Sequence, residues 1–235
     1  MSALVILQPG EKLPGLAGVA GDFADWALAG MGRPRQGVLV VRPHRGEPLP
    51  EAAAGVVVTG SAAMVTDPDP WIAACARWLA AVVARGVPVL GICFGHQLLA
   101  VALGGVVDDN PRGIEVGTVT TRLTPEARRD PLFAPWPPTL AVQVSHRQSV
   151  LALPTGAVPL AASRRDPHHA FRYGESAWGV QFHPEFDARI VRAYLDYYRP
   201  DLAARGEDPE ALATGIHEAP LASGLLARFG ALLPA

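Results

Sequence analysis

From Val87 to Leu99 the chain reads V-P-V-L-G-I-C-F-G-H-Q-L-L. An apolar run of strand length ends at the small-residue turn Gly91-Ile92-Cys93-Phe94-Gly95, and a helix-like segment from His96 to Leu103 follows directly. A chain that passes from strand to helix through so tight a corner calls for helices packed against a sheet. A side chain at that corner projects from the carboxyl end of the sheet, where the helix N-terminus supplies partial positive charge and free N–H groups. Cys93 holds the corner, and the setting favours a thiolate. Taken by itself, the same cysteine is also consistent with a buried core thiol.

The rest of the N-terminal half repeats the alternation. Ala3 to Leu7 is a candidate buried strand, and Gly18 to Met31 carries Phe23, Trp26, Ala27 and Met31 at helical spacing. Gln36 to Val41 is a continuous apolar run, which predicts a strand covered on both faces, and Pro43 to Pro50 a loop. Gly55 to Thr59 is the next run, and it stops at Gly60-Ser61-Ala62-Ala63, where small residues let backbone approach a ligand. Asp67-Pro68-Asp69-Pro70 starts a helix over Trp71 to Arg85, with Trp71, Cys75, Trp78, Leu79 and Val82 near one stripe, so Cys75 reads as core; Gly86 closes it. Short apolar strands alternating with helices predict an α/β fold with a doubly wound, mostly parallel sheet flanked by helices. Ligand sites in such sheets lie at the carboxyl ends of the strands, so Gly60-Ser61 and Cys93 should share one edge.

Beyond Gly105 the pattern changes. Val116 to Thr121 and Thr139 to Val144 are β-branched and partly alternating, which predicts a small antiparallel extension of the sheet. The polar pentad Ser145-His146-Arg147-Gln148-Ser149 ends one of these strands, and Phe171 to Tyr173 with Ala177 to Phe182 flank Gly174-Glu175-Ser176 as a hairpin would. Asp187 to Tyr198 reads as a helix. Residues 1–199 are thus expected to form one domain, with 200–235 as a helical C-terminal extension packed on it.

The 235 residues can bury a full core and leave little room for a second catalytic domain. Hydrophobic residues make up 49% and charged residues 18%, and no apolar stretch is long enough to cross a bilayer, which predicts a soluble protein. Met1 to Leu7 lacks a basic region and a small-residue cleavage site, so it reads as a first strand, and a cytoplasmic location is expected. The formal net charge of −2, with only the short pairs Arg128-Arg129 and Arg164-Arg165, gives no electrostatic case for nucleic acid or an anionic membrane. Cys75 and Cys93 make neither a disulfide framework nor a metal quartet, and neither a metal nor a cofactor is expected.

A thiolate nucleophile needs a base, and histidine suits that role near neutrality. Of the seven histidines, His183 stands out: it follows a predicted strand, Pro184 restricts the backbone after it, and Glu185 lies two residues on, where it could orient the imidazole. An ordinary strand-to-helix turn is the competing reading of His-Pro-Glu. His96 and His146 have no acid nearby in sequence and read as structural or supporting residues.

Three blocks in order, Val57-Val58-Thr59-Gly60-Ser61, G-I-C-F-G-H-Q-L-L and G-V-Q-F-H-P-E-F, are more specific together than any one alone. Here the sequence resembles the class I (triad-type) glutamine amidotransferase family, and looks closest to stand-alone relatives of the glutaminase domain of GMP synthase. The resemblance implies a flavodoxin-like fold with Cys93 as nucleophile, His183 as general base and then acid, and Glu185 as its orienter. It implies hydrolysis of the glutamine side-chain amide through a γ-glutamyl thioester, with the oxyanion held by the backbone N–H groups of Ser61 and Phe94. It also implies substrate contacts from Gly60, Gln97, Ser145, Arg147 and Gln148.

Two departures bear on this. Ser61 and Arg147 stand where many relatives have glycine. A positive φ at Ser61 would be costly, while Arg147 suits bidentate binding of a carboxylate. No S-G-G-x-D-S loop, P-loop or dinucleotide fingerprint occurs, so ammonia would pass to a separate synthetase or synthase partner. A γ-glutamyl peptidase acting on γ-glutamyl conjugates and a catalytically silent binding module are the alternatives. The oligomeric state is not legible.

Overall fold

Short runs of Val, Ile and Leu, too apolar to be left uncovered, form the centre of the molecule. A computed structural model describes residues 3–233; Met1 and Ser2, expected to begin the first strand, and Pro234 and Ala235, expected to end the helical extension, lie outside the described residues. In chain order the elements are β1 (Leu4–Leu7), α1 (Phe23–Met31), β2 (Val38–Val41), β3 (Gly55–Val58), α2 (Pro70–Ala84), β4 (Val89–Ile92), α3 (Phe94–Ala102), β5 (Val106–Asp109) and β6 (Glu115–Leu123). Next come β7 (Thr139–His146), β8 (Gln148–Ala152), β9 (Val158–Ala162), β10 (Ala170–Tyr173), β11 (Ala177–Val180), α4 (Ala188–Ala204), α5 (Pro209–Gly215) and α6 (Pro220–Leu232).

A nine-stranded sheet runs β2-β1-β3-β4-β11-β10-β9-β6-β7, and β5 pairs with β8 separately. The first five strands in that order are parallel, and β10, β9, β6 and β7 continue antiparallel. β1, β3, β4 and β11 are buried along their lengths, as strands covered on both faces must be. One expectation fails here. β2 is the edge strand of the sheet among the described residues, and Leu39 on it is 43% exposed.

Helix starts follow their caps. The helical pattern from Gly18 begins only at Phe23, where Asp22 and Asp25 form a capping box. On α2 the buried stripe is Ile72, Cys75, Leu79 and Val82; Trp71 and Trp78 flank it, with Trp78 Nε1 donating to Pro50 O at 2.7 Å. Burial pushes the Cys75 thiol up to about 12, as befits a core residue. The polar pentad is split: Ser145 and His146 end β7, Arg147 turns the corner, and Gln148 opens β8.

The boundary at 199/200 falls inside α4, which continues through Pro200 to Ala204. α6 lies against α1 and β7, and its Leu225, Leu226 and Phe229 belong to the same core as Ile6, Val57 and Trp178. No helix among the described residues is long and apolar enough to cross a membrane.

Candidate active site

Strand register sets the site. β4 and β11 are neighbouring parallel strands with Ile92 opposite Val180, so the segments leaving the two strands emerge side by side. Cys93 is the residue after β4, and His183 comes three residues after β11. Residues far apart in sequence therefore meet at the carboxyl edge of the sheet.

Cys93 is strained. Its φ of 52° and ψ of −103° make it the one non-glycine residue with positive φ among those described, a conformation that costs on the order of 1–3 kcal/mol. The corner is fastened by Cys93 N donating to Val180 O at 2.8 Å and Gln97 N donating to Cys93 O at 3.1 Å. The flanking glycines are required by close approach. A Cβ on Gly91 would lie 2.3 Å from Gly95 O, and one on Gly95 would lie 2.2 Å from Val58 O. Helix α3 thus sits directly on the backbone of β3 and β4, with its N-terminus at the thiol.

His183 and Glu185 are held with little freedom. His183 Nδ1 lies 2.8 Å from Glu185 Oε1, and both side chains are buried. A carboxylate only accepts, so Nδ1 carries the proton and Nε2 remains for the sulfur. Phe186 stacks on the imidazole at 3.9 Å and 7°, Tyr194 stacks on Phe186 at 5.1 Å, and His183 N donates to Gln143 O at 2.8 Å. Burial opposes protonation of His183. The charges of Glu185 and Cys93 and the hydrogen bonds to both outweigh it, pushing the imidazole up to about 10.

Cys93 Sγ approaches Ser145 O at 3.7 Å. The N–H of Phe94 heads α3, ahead of the first intrahelical donor, Gln97 N. Ser61 lies beyond the end of β3. Its Oγ donates to Pro9 O at 3.0 Å and accepts from Ala63 N at 3.1 Å, and its φ is not positive, so the strain envisaged there is absent. Gly60 leaves room for the base, since a Cβ there would lie 2.9 Å from His183 Cε1.

A cavity of about 170 Å³ opens onto Cys93, and Ser61, Ser145, Arg147 and His183 help to line it. Ser145 Oγ is buried without a hydrogen-bond partner among the described residues. Arg147 forms an ion pair with Asp201 at 3.0 Å. Of the expected substrate contacts Ser145 and Arg147 line the cavity, whereas Gly60, Gln97 and Gln148 do not. Gln97 Nε2 donates to Gln148 O at 2.8 Å and to Gln181 Oε1 at 3.0 Å, and Gln148 Nε2 donates to Thr66 Oγ1 at 2.8 Å, so these amides are used inside the protein.

Sequence reasoning missed the wall contributed by α4. Tyr194, Tyr198 and Asp201 line the cavity at i, i+4 and i+7 of one helix face. The stripe is readable in the sequence, but its target is not. Burial and the nearby Cys93 charge push the Tyr198 hydroxyl up to about 12, so it stays neutral. His96 is structural as expected: it packs on Phe171 at 5.1 Å, and burial drives its pKa down to about 3. His146 does have an acid partner after all. The β6–β7 register sets Glu115 opposite it, with His146 Nε2 3.1 Å from Glu115 Oε2.

Comparison with known proteins gives the same grouping. The family described as "Glutamine amidotransferase class-I" matches residues 29–194, more than half of the chain. Gamma-glutamyl peptidase 5 of Arabidopsis thaliana is 31% identical over 144 residues, covering 60% of this chain and 57% of that protein. The GMP synthase [glutamine-hydrolyzing] of Thermomicrobium roseum is 38% identical over 131 residues, covering 56% of this chain and 23% of the synthase. The chain thus matches little more than half the length of the first relative and under a quarter of the second. A glutamine amido transferase from Methylobacillus flagellatus, solved as a crystal structure, superposes with a TM-score of 0.76 at 28% identity, covering 100% of this chain and 96% of that one. The chain belongs to the class I glutamine amidotransferase family.

Proposed function

We propose that the protein hydrolyses the side-chain amide of glutamine through a γ-glutamyl thioester on Cys93. The observation that carries this reading is the buried His183–Glu185 pair at 2.8 Å beside the strained Cys93 at the mouth of a cavity. The Cys93 thiolate attacks the amide carbon, and the tetrahedral oxyanion is held by the N–H groups of Ser61 and Phe94. The C–N bond breaks as the His183 imidazolium passes its proton to the departing nitrogen, which leaves as ammonia. His183 then takes a proton from water, the hydroxide attacks the thioester carbon, and glutamate departs as Sγ is released. Glu185 keeps Nδ1 protonated throughout. The Arg147–Asp201 pair and the unpartnered Ser145 Oγ offer charges and a hydroxyl suited to the α-carboxylate and α-ammonium of the substrate.

The similarity to the glutaminase region of GMP synthases supports delivery of the released ammonia to a synthetase or synthase partner. A reducing compartment such as the cytoplasm keeps Cys93 available. The similarity to a γ-glutamyl peptidase favours a second reading, with the same thioester but an amine of a γ-glutamyl conjugate as leaving group. An assay of glutamine beside a panel of γ-glutamyl dipeptides separates them. Ammonia release from glutamine, reduced roughly 10⁴-fold or more in Cys93→Ala, supports the first. Turnover of the dipeptides with none of glutamine supports the second. Inactivity on all of them leaves a binding module.

A further inference from the structure

Behind the cysteine site three buried side chains converge. Glu115 opens β6, His146 closes β7, and His169 stands one residue before β10. His146 Nε2 lies 3.1 Å and His169 Nε2 lies 3.5 Å from the same oxygen, Glu115 Oε2. The other ring nitrogens are committed. His146 Nδ1 is 2.9 Å from Gln148 O, which can only accept, so that nitrogen is the donor. His169 Nδ1 is 3.2 Å from Thr121 Oγ1, whose own proton goes to Ala162 O at 3.1 Å, so here too the ring nitrogen donates. Neutral rings in these tautomers turn two Nε2 lone pairs toward a carboxylate oxygen, and His169 Nε2 makes no hydrogen bond among the described residues. Three such atoms meeting away from water need positive charge between them, either a proton on His146 Nε2, which the 3.1 Å contact with Glu115 accommodates, or a cation.

We propose that Glu115, His146 and His169 bind a divalent, zinc-class transition-metal ion. The candidate ligand atoms all lie within 4.8 Å of one another, a spread that one ion with bonds of about 2.0–2.2 Å draws together. Two imidazoles and one carboxylate suit a borderline-soft ion better than magnesium or calcium. The Nδ1 hydrogen bonds to Gln148 O and Thr121 Oγ1 are the outer contacts that fix a ligating tautomer. Ser163 Oγ orients the carboxylate by donating to Glu115 Oε1 at 2.8 Å. Glu115 also lines a cavity of about 290 Å³. Once bound, the ion ties β6, β7 and the segment entering β10 into one support. His146 directly follows Ser145, whose carbonyl touches Cys93 Sγ, so the tie braces the strand end beside the nucleophile. None of this depends on which γ-glutamyl substrate the enzyme takes.

The test uses the full chain carrying Cys93→Ser, stripped with a chelator and titrated with cobalt(II), so that binding at the catalytic thiol is removed from the readout. One cobalt per chain with the intense visible bands of a tetrahedral site and no thiolate charge transfer is expected, displaced by zinc and lost in His169→Gln and Glu115→Gln. Should those variants fail to fold, the Cys93→Ser chain still decides: zinc raises its Tm and magnesium does not. Absence of stoichiometric cobalt with no zinc-dependent Tm rise, or cobalt bands that survive His169→Gln in a folded protein, overturns the proposal and assigns the cluster to a shared proton.

Discussion

The proposed chemistry turns on His183, whose imidazole has a charge state set by neighbours rather than by exposure. Burial alone would hold it neutral; Glu185 and Cys93 reverse that and push it up to about 10. A group whose folded pKa is raised stabilises the fold fully below its unfolded value, about 6.5, and that contribution fades as pH rises toward about 10. Glu185→Gln removes the largest of the raising influences. Urea midpoints of wild type and variant should therefore differ most below about pH 6.5 and converge toward alkaline pH. A gap that does not change with pH would contradict the assignment. Cys93, His183 and Glu185 were readable in sequence as candidates because each sits in a short local motif. Glu115 as the partner of His146 was not, since only the pairing of two strands brings them together.

Among the elements, the strand–turn–helix around Cys93 shows why some sequence signals are strong. Gly91 and Gly95 are dictated by backbone lying 2.2–2.3 Å from any Cβ placed there, so this local pattern reports a local necessity. Cys93 itself accepts a conformation that favours glycine. Cys93→Gly should consequently be more stable than Cys93→Ala by about 1 kcal/mol, the reverse of the usual order, although both lack the thiol. Thermal unfolding of the two variants checks this; an alanine variant of equal or greater stability would remove the case for strain. The edge position of β2 and the contribution of α4 to the cavity wall were illegible for a different reason. An apolar run such as Val38 to Val41 does not say which strand comes next in the sheet, and the stripe of Tyr194, Tyr198 and Asp201 does not say what it will face.

For the molecule as a whole, the alternation of strands and helices up to Gly105 was legible because each unit is short and locally patterned. The antiparallel half was legible as strands but not as an arrangement. β7 stands four places from β11 in the sheet, yet Gln143 O accepts from His183 N at 2.8 Å, so the sheet curls until its far edge meets His183. The C-terminal helices are part of the same packing. Phe229 is fully buried edge-on to Trp178 at 6.3 Å, and Phe229→Ala should destabilise the fold by about 3–5 kcal/mol; a loss well below 1 kcal/mol in denaturant titrations would mean that α6 is not integral to the core. Whether Cys93 is the nucleophile of a γ-glutamyl transfer is decided by intact-mass spectrometry after exposure to a glutamine analogue bearing an electrophilic carbon in place of the amide. One adduct per chain is expected, on Cys93, suppressed by glutamine and absent from Cys93→Ala. Turnover of glutamine or γ-glutamyl dipeptides by Cys93→Ala at the wild-type rate, or labelling that ignores the substitution, would contradict that role.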